Sequence, residues 1–151
     1  MSEEAKIKSM VEKWSDAVRK KDLDKIMAIY ADDVVSFDAV EKLRFTGKDE
    51  YGKHWKACFE FCPGGESMFE PGEMAVTADG SLAFAHSLLH CGGEGPDGNF
   101  NTCWMRVTQC FRKTNGEWKI AHEHYSVPFD MKTGQPLFNL EPWRAALRRM
   151  T

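Results

Sequence analysis

The feature that most constrains the fold is a change of grammar at Pro63-Gly64-Gly65. Before it, apolar residues recur at spacings of three and four; after it, β-rich runs alternate with turn signals. Ile7, Met10, Val11, Trp14, Ala17 and Val18 mark a first amphipathic helix, with Glu3 and Glu4 at its start and Arg19, Lys20 and Lys21 near its end to complement the dipole. Asp22 caps a shorter second helix whose stripe is Leu23, Ile26, Met27 and Tyr30, ended by Asp32 and Asp33. A short strand is predicted from Val34 to Asp38, and Tyr51, Trp55, Cys58, Phe59 and Cys62 mark a third helix. Four antiparallel strands are then predicted at roughly residues 67 to 77, 81 to 91, 100 to 113 and 117 to 127, punctuated by Asp79-Gly80, the stretch 92 to 99, and Asn115-Gly116.

Helices first and a strand meander after them predict an α+β domain in which three helices pack on one face of a curved antiparallel sheet and leave room for a pocket. The chain has 151 residues, enough for one domain, placed at residues 1–130. Residues 131–151 read as a tail packing on a dimer partner, with Glu141-Pro142-Trp143 opening a short helix that carries Arg144, Arg148 and Arg149. Hydrophobic residues make up 42% and charged residues 28%, so the chain can bury a core and is not disordered. Lys and Arg total 20 against 23 Asp and Glu, without the cationic excess that a phosphate backbone demands. No nucleic-acid partner is expected. There is no apolar run long enough to cross a bilayer, and the start MSEEAKIKSM is acidic where a signal peptide is cationic, so a cytoplasmic protein without a membrane partner is expected. Five cysteines without paired short spacings fit reduced thiols.

If Asn115-Gly116 is a two-residue turn, Cys110 lies opposite Ala121, Thr108 opposite Glu123 and Arg106 opposite Tyr125. One sheet face then carries Trp104, Arg106, Thr108, Glu123 and Tyr125, and the other carries Met105, Val107, Gln109, Phe111, Trp118, Ile120, His122 and His124. Neither face looks solvated, which predicts helices on one and a second subunit on the other, a homodimer through the sheet. Arg106 and Glu123 form the most informative polar pair: either a structural salt bridge or a site walled by Trp and Tyr, in which an Arg holds an anion or carbonyl oxygen of a small ligand. Asp38 ends the first strand beyond Val34, Val35 and Phe37, where apolar walls would raise its pKa and fit it to act as a general base. Trp14 and Trp55 project from helix stripes and, with Trp104 and His86, complete the candidate lining. His122-x-His124 with a third His and Asp38 is one way to present metal ligands, but the predicted faces separate them; no metal and no cofactor are expected. No covalent nucleophile motif occurs.

The stretches Asp22-Leu23-Asp24, Ile29-Tyr30-Ala31-Asp32-Asp33, Asp38, Phe45-Thr46-Gly47-Lys48, Arg106-Val107-Thr108, Gly116-Glu117-Trp118-Lys119-Ile120 and His122-Glu123-His124-Tyr125-Ser126 together resemble the SnoaL-like, ketosteroid-isomerase-like branch of the nuclear transport factor 2 fold over residues 5 to 130. The last stretch is also similar to the association domain of calcium/calmodulin-dependent kinase II. The resemblance implies a cone-shaped, cystatin-like α+β barrel, a dimer, and a pocket between helices and sheet. It puts the isomerase's general base on Asp38, its oxyanion-donating Tyr on Trp14 and its proton-donating Asp on about Thr108. The last two departures argue against steroid isomerisation and leave Asp38 to move a proton while Arg106 steadies an enolate. The implied function is binding of a small, partly apolar carbonyl or carboxylate ligand, with isomerase, cyclase or hydrolase chemistry. The alternative is a non-catalytic binding or assembly module of the kinase-association type.

Overall fold

A computed structural model describes residues 1–142. α1 (Glu3–Arg19) forms where the periodicity places it: Ser2 caps it by accepting from the Ala5 N–H at 3.1 Å, and Ile7, Val11, Trp14, Ala17 and Val18 are buried. α2 (Leu23–Met27) is capped by Asp22, and α3 (Lys48–Phe61) ends at Cys62 before Pro63. Tyr30 opens β1 (Tyr30–Phe37) and does not belong to the second helix. The predicted first long strand is two short ones, β3 (Met68–Pro71) and β4 (Ala75–Asp79), because Pro71-Gly72 interrupts the ladder. β2 (Phe45–Thr46), β5 (Leu82–Glu94), β6 (Phe100–Thr114) and β7 (Glu117–Ser126) complete the sheet.

The strand order is β2-β1-β7-β6-β5-β3, with β4 also on β5. The sheet is curved, mixed and open: β1 lies parallel to β7, and every other pair is antiparallel. Asn115 (φ 53°) and Gly116 (φ 80°) do make the two-residue turn, with Thr114 opposite Glu117. The predicted register holds to Phe111 opposite Ile120 and then fails. Cys110 pairs with His122 and Gln109 with Glu123, so Ala121 is the extra residue of a β-bulge.

That single residue reassigns the faces. The buried, helix-covered side presents Val107, Gln109 and Phe111 from β6 and Trp118, Ile120, Glu123 and Tyr125 from β7. Arg106 and Thr108 are exposed on the outer face, Arg106 donating to Ser126 Oγ at 3.0 Å. The pairing of Arg106 with Glu123 on one face is therefore corrected, and the position facing the interior is Gln109 in place of Thr108. No helix among the described residues is long and apolar enough to cross a membrane. The tail helix expected around Arg144 to Arg149 lies outside the described residues; within them, Phe129 and Pro136 form an antiparallel bridge.

Deleting Ala121 should close the bulge into a regular ladder, keep Glu123 opposite Gln109 with Tyr125 inward, and leave urea unfolding cooperative. Phe111→Ala, at a ring 1% exposed, should cost about 3–5 kcal/mol in the same assay and leave the transition cooperative.

Candidate functional site

β1, β7 and α3 converge on a carboxylate with no access to water. Glu123 is 0% exposed, and three other elements supply its partners. Tyr30 from the start of β1 donates to Oε2 at 2.7 Å, Tyr51 from α3 donates to the same oxygen at 2.6 Å, and Gln109 Nε2 from β6 donates to Oε1 at 3.0 Å. Burial nevertheless dominates and pushes the Glu123 carboxyl up to about 7, against the opposing pull of those three donors. The phenols of Tyr30, Tyr51 and Tyr125 are held well above their ordinary range, first by burial and then by the Glu123 charge.

The network continues to the end of β1. The Tyr51 hydroxyl lies 3.2 Å from Asp38 Oδ2, and His54, one turn along α3, places Nε2 3.6 Å from that oxygen and 3.7 Å from Cys58 Sγ. Burial alone would lower the His54 imidazole, but Asp38 and Cys58 outweigh it and raise it to about 9. At neutral pH, Asp38 thus faces an imidazolium stacked on Phe45 at 4.1 Å.

Around this chain stand aromatic rings and orphaned polar atoms. Trp14 meets Trp55, Tyr30 and Phe69 edge-on at centroid separations of 6.0, 6.3 and 5.2 Å. Trp14 Nε1, Trp55 Nε1, Tyr125 Oη and Ser36 Oγ are buried without a hydrogen-bond partner, and Ser36 is the β1 residue registered against Glu123. Unpaired buried polar atoms cost about 1–3 kcal/mol each, so each of these four favours whatever polar guest can partner it. On its other side Asp38, its side chain 15% exposed, borders a groove of about 1150 Å³ formed by Phe37, the loop 39–44 and His124.

Of the residues singled out from sequence, Asp38, Glu123, Trp14, Trp55 and Tyr125 converge here. Arg106, Thr108, His86 and Trp104 do not. His86 is exposed on β5, and Trp104 stacks on His90 at 4.6 Å, both on the outer face with His124. Among the described residues no group of three or more His, Cys, Asp or Glu is placed to hold a metal ion. Sequence reasoning missed Tyr30, Ser36, His54 and Gln109. His54 stands three residues after Tyr51 on the same helix stripe, and that spacing was its one available signal.

The model of the SnoaL-like domain matches residues 7–130, most of the chain. The chain belongs to the SnoaL-like family. Its fold is that of an NTF2-like protein of unknown function from Pseudomonas putida, 43% identical, with 92% of this chain and 96% of that one covered at a TM-score of 0.84. A ketosteroid isomerase-like protein from Erwinia carotovora is similar at 23% identity (83% and 95% covered, TM-score 0.71). So is a candidate scytalone dehydratase from Novosphingobium aromaticivorans at 14% (89% and 93% covered, TM-score 0.71). No curated protein matches the chain.

The two perturbed groups give this SnoaL-like domain a signed pH dependence. Glu123 binds its proton more tightly folded (about 7) than at its ordinary 4.5, so its share of stability falls by about 3 kcal/mol as pH rises from 4.5 to 7. The contribution of His54 is whole below 6.5 and is lost as pH climbs through about 9. Urea unfolding of Glu123→Gln should lack the first decline and keep the second; Asp38→Asn should weaken the second.

Proposed function

We propose that this SnoaL-like protein catalyses proton transfer beside a carbonyl in a small, partly apolar ligand, leading to isomerisation or dehydration, with Asp38 as the base. One observation carries the reading: a single carboxylate, Asp38, touches both an open groove and a buried chain of Tyr51, His54 and Glu123. The names of the isomerase-like and dehydratase-like relatives support the reaction class.

The ligand enters along the groove, whose walls include the exposed apolar side chains of Phe37, Val40 and Leu43 beside Arg44. Asp38 removes the proton on the carbon next to the carbonyl. The C–H electron pair becomes the new C=C bond, and the carbonyl π pair moves onto oxygen. In a β,γ-unsaturated ketone the resulting dienolate re-forms its C=O, shifts the double bond into conjugation and takes the proton back at the γ-carbon, an isomerisation; in a β-hydroxy ketone the enolate re-forms its C=O as the β C–O bond breaks, and the leaving hydroxyl takes a proton from the His54 imidazolium and departs as water, a dehydration.

Glu123 governs the hydrogen bond that reaches the base. Tyr51 has one hydroxyl hydrogen for two carboxylates. With Glu123 ionised, that hydrogen is drawn to Glu123 Oε2; with Glu123 protonated, the acid supplies its own hydrogen and Tyr51 can serve Asp38.

The outer sheet face, where Leu82, Phe84 and Leu88 are 63%, 47% and 44% exposed, joins two copies into a homodimer, and the unpaired thiols suit a cytoplasmic setting. Phe84→Arg combined with Leu88→Arg should yield a monomer in sedimentation velocity; an unchanged dimer would move the interface elsewhere. A panel of cyclic ketones and β-hydroxy ketones tests the chemistry. Asp38→Asn should lower kcat by about 10²–10⁴ with ligand binding retained, and Glu123→Gln should flatten the limb of the pH profile near 7. Ligand binding without turnover by the wild type would leave a binding module.

A further inference from the structure

Away from Asp38, α1, α2 and the start of β7 enclose a second groove of about 560 Å³. Lys6, Lys13, Lys25 and Lys119 surround it, Trp14 and Trp118 form part of its wall, and no Asp or Glu lines it. The carboxylates that meet these lysines lie outside the lining and are weak or shared. Lys25 is 3.8 Å from Asp22, and Lys119 is 3.8 Å from Glu117 while donating to the Ala28 carbonyl at 2.7 Å. Lys6 lies 3.3 Å from a Glu3 that also takes Lys113 at 3.0 Å and the Trp118 indole N–H at 2.7 Å. Lys13 has no ion pair among the described residues.

Four cations around a concave apolar surface raise the local potential and concentrate anions, and exposed pairs at such separations neutralise little of it. The volume falls in the range of small-ligand sites, about 300–1,000 Å³. A separate observation points to a guest: Trp14, 4% exposed and part of this wall, has an indole N–H without a partner.

We propose that this groove is a binding site for an amphiphilic carboxylate, with an apolar body the size of a short acyl chain lying against Trp14 and Trp118 and its head group held by the lysines. Ammonium groups on flexible stems suit a carboxylate that needs charge more than bidentate geometry. The groove shares no lining residue with the one beside Asp38, so the site stands whatever reaction occurs there.

Octanoate and octanol, titrated into the full-length protein and followed by nitrogen–proton correlation NMR, test the site. Octanoate should shift the indole N–H signals of Trp14, assigned with Trp14→Phe, and of Trp118, and should bind at least tenfold more tightly than octanol. Lys13→Glu with Lys25→Glu should weaken octanoate at least tenfold; Lys13→Ala with Lys25→Ala, a milder change at exposed positions, should weaken it in the same direction. Equal affinity for acid and alcohol, undiminished octanoate binding by both variants, or shifts confined to Tyr51, His54 and Tyr125 would overturn the proposal. So would phosphatidylglycerol vesicles capturing the protein while octanoate shifts nothing, because the lysines would then serve a membrane surface.

Discussion

Everything in the interior is arranged around one buried carboxyl. Glu123 has no exposure, and its partners come from β1, α3 and β6 while it sits on β7. The three hydrogen bonds therefore join the sheet centre to the helix layer, so α3 cannot slide without leaving an acid unpaired in a low-dielectric core. An apolar residue of similar volume would pack there at lower cost. The retention of an acid whose affinity for its proton is raised to about 7 makes sense if the proton itself is used.

The bulge at Ala121 is what allows that acid to face inward. In an unbroken strand Trp118 and Ile120 would share a face with His122 and His124, and Glu123 would look out with Arg106. One inserted residue moves the inward set to Trp118, Ile120, Glu123 and Tyr125. The hairpin end of β7 then builds apolar core while its far end builds a polar chain. β1 has an irregularity of its own opposite this point: its register against β7 breaks between Tyr30 and Val35, after which Ser36 lies opposite Glu123.

The fold was legible because its signals are local: helix stripes, the caps Ser2 and Asp22, and an Asn-Gly turn whose register needs only counting. The faces of the last two strands were not, because nothing about Ala121 announces a bulge; a small apolar residue fits a regular strand equally well. A parity error of one residue placed Arg106 and Thr108 inside and left Gln109 out. Asp38, Trp14 and Trp55 lie beside Glu123 and its partners, as the periods of β1, α1 and α3 allow. Tyr30 escaped because its spacing from Ile26 completes a helical stripe, although the chain has already turned into β1 there. His54 escaped because a single polar residue on an apolar stripe carries no signal of its own, and its approach to Asp38 is tertiary.

The perturbed groups separate into two states that coexist at neutral pH. Asp38 lies against a His54 that holds its proton to about 9, while Glu123, two oxygens away through Tyr51, takes one up near 7. An imidazole that keeps its proton and a carboxyl able to stay neutral thus lie on the two sides of Tyr51, the first held by its partners and the second by burial. A tyrosine suits the position between them. Its phenol is held far above 10, so it passes a hydrogen bond without becoming charged, and having one hydrogen it can favour only one carboxylate at a time. A water there would carry two hydrogens and serve both acids at once; with Tyr51 in that place, the hydrogen bond that Asp38 receives depends on the one that Glu123 takes.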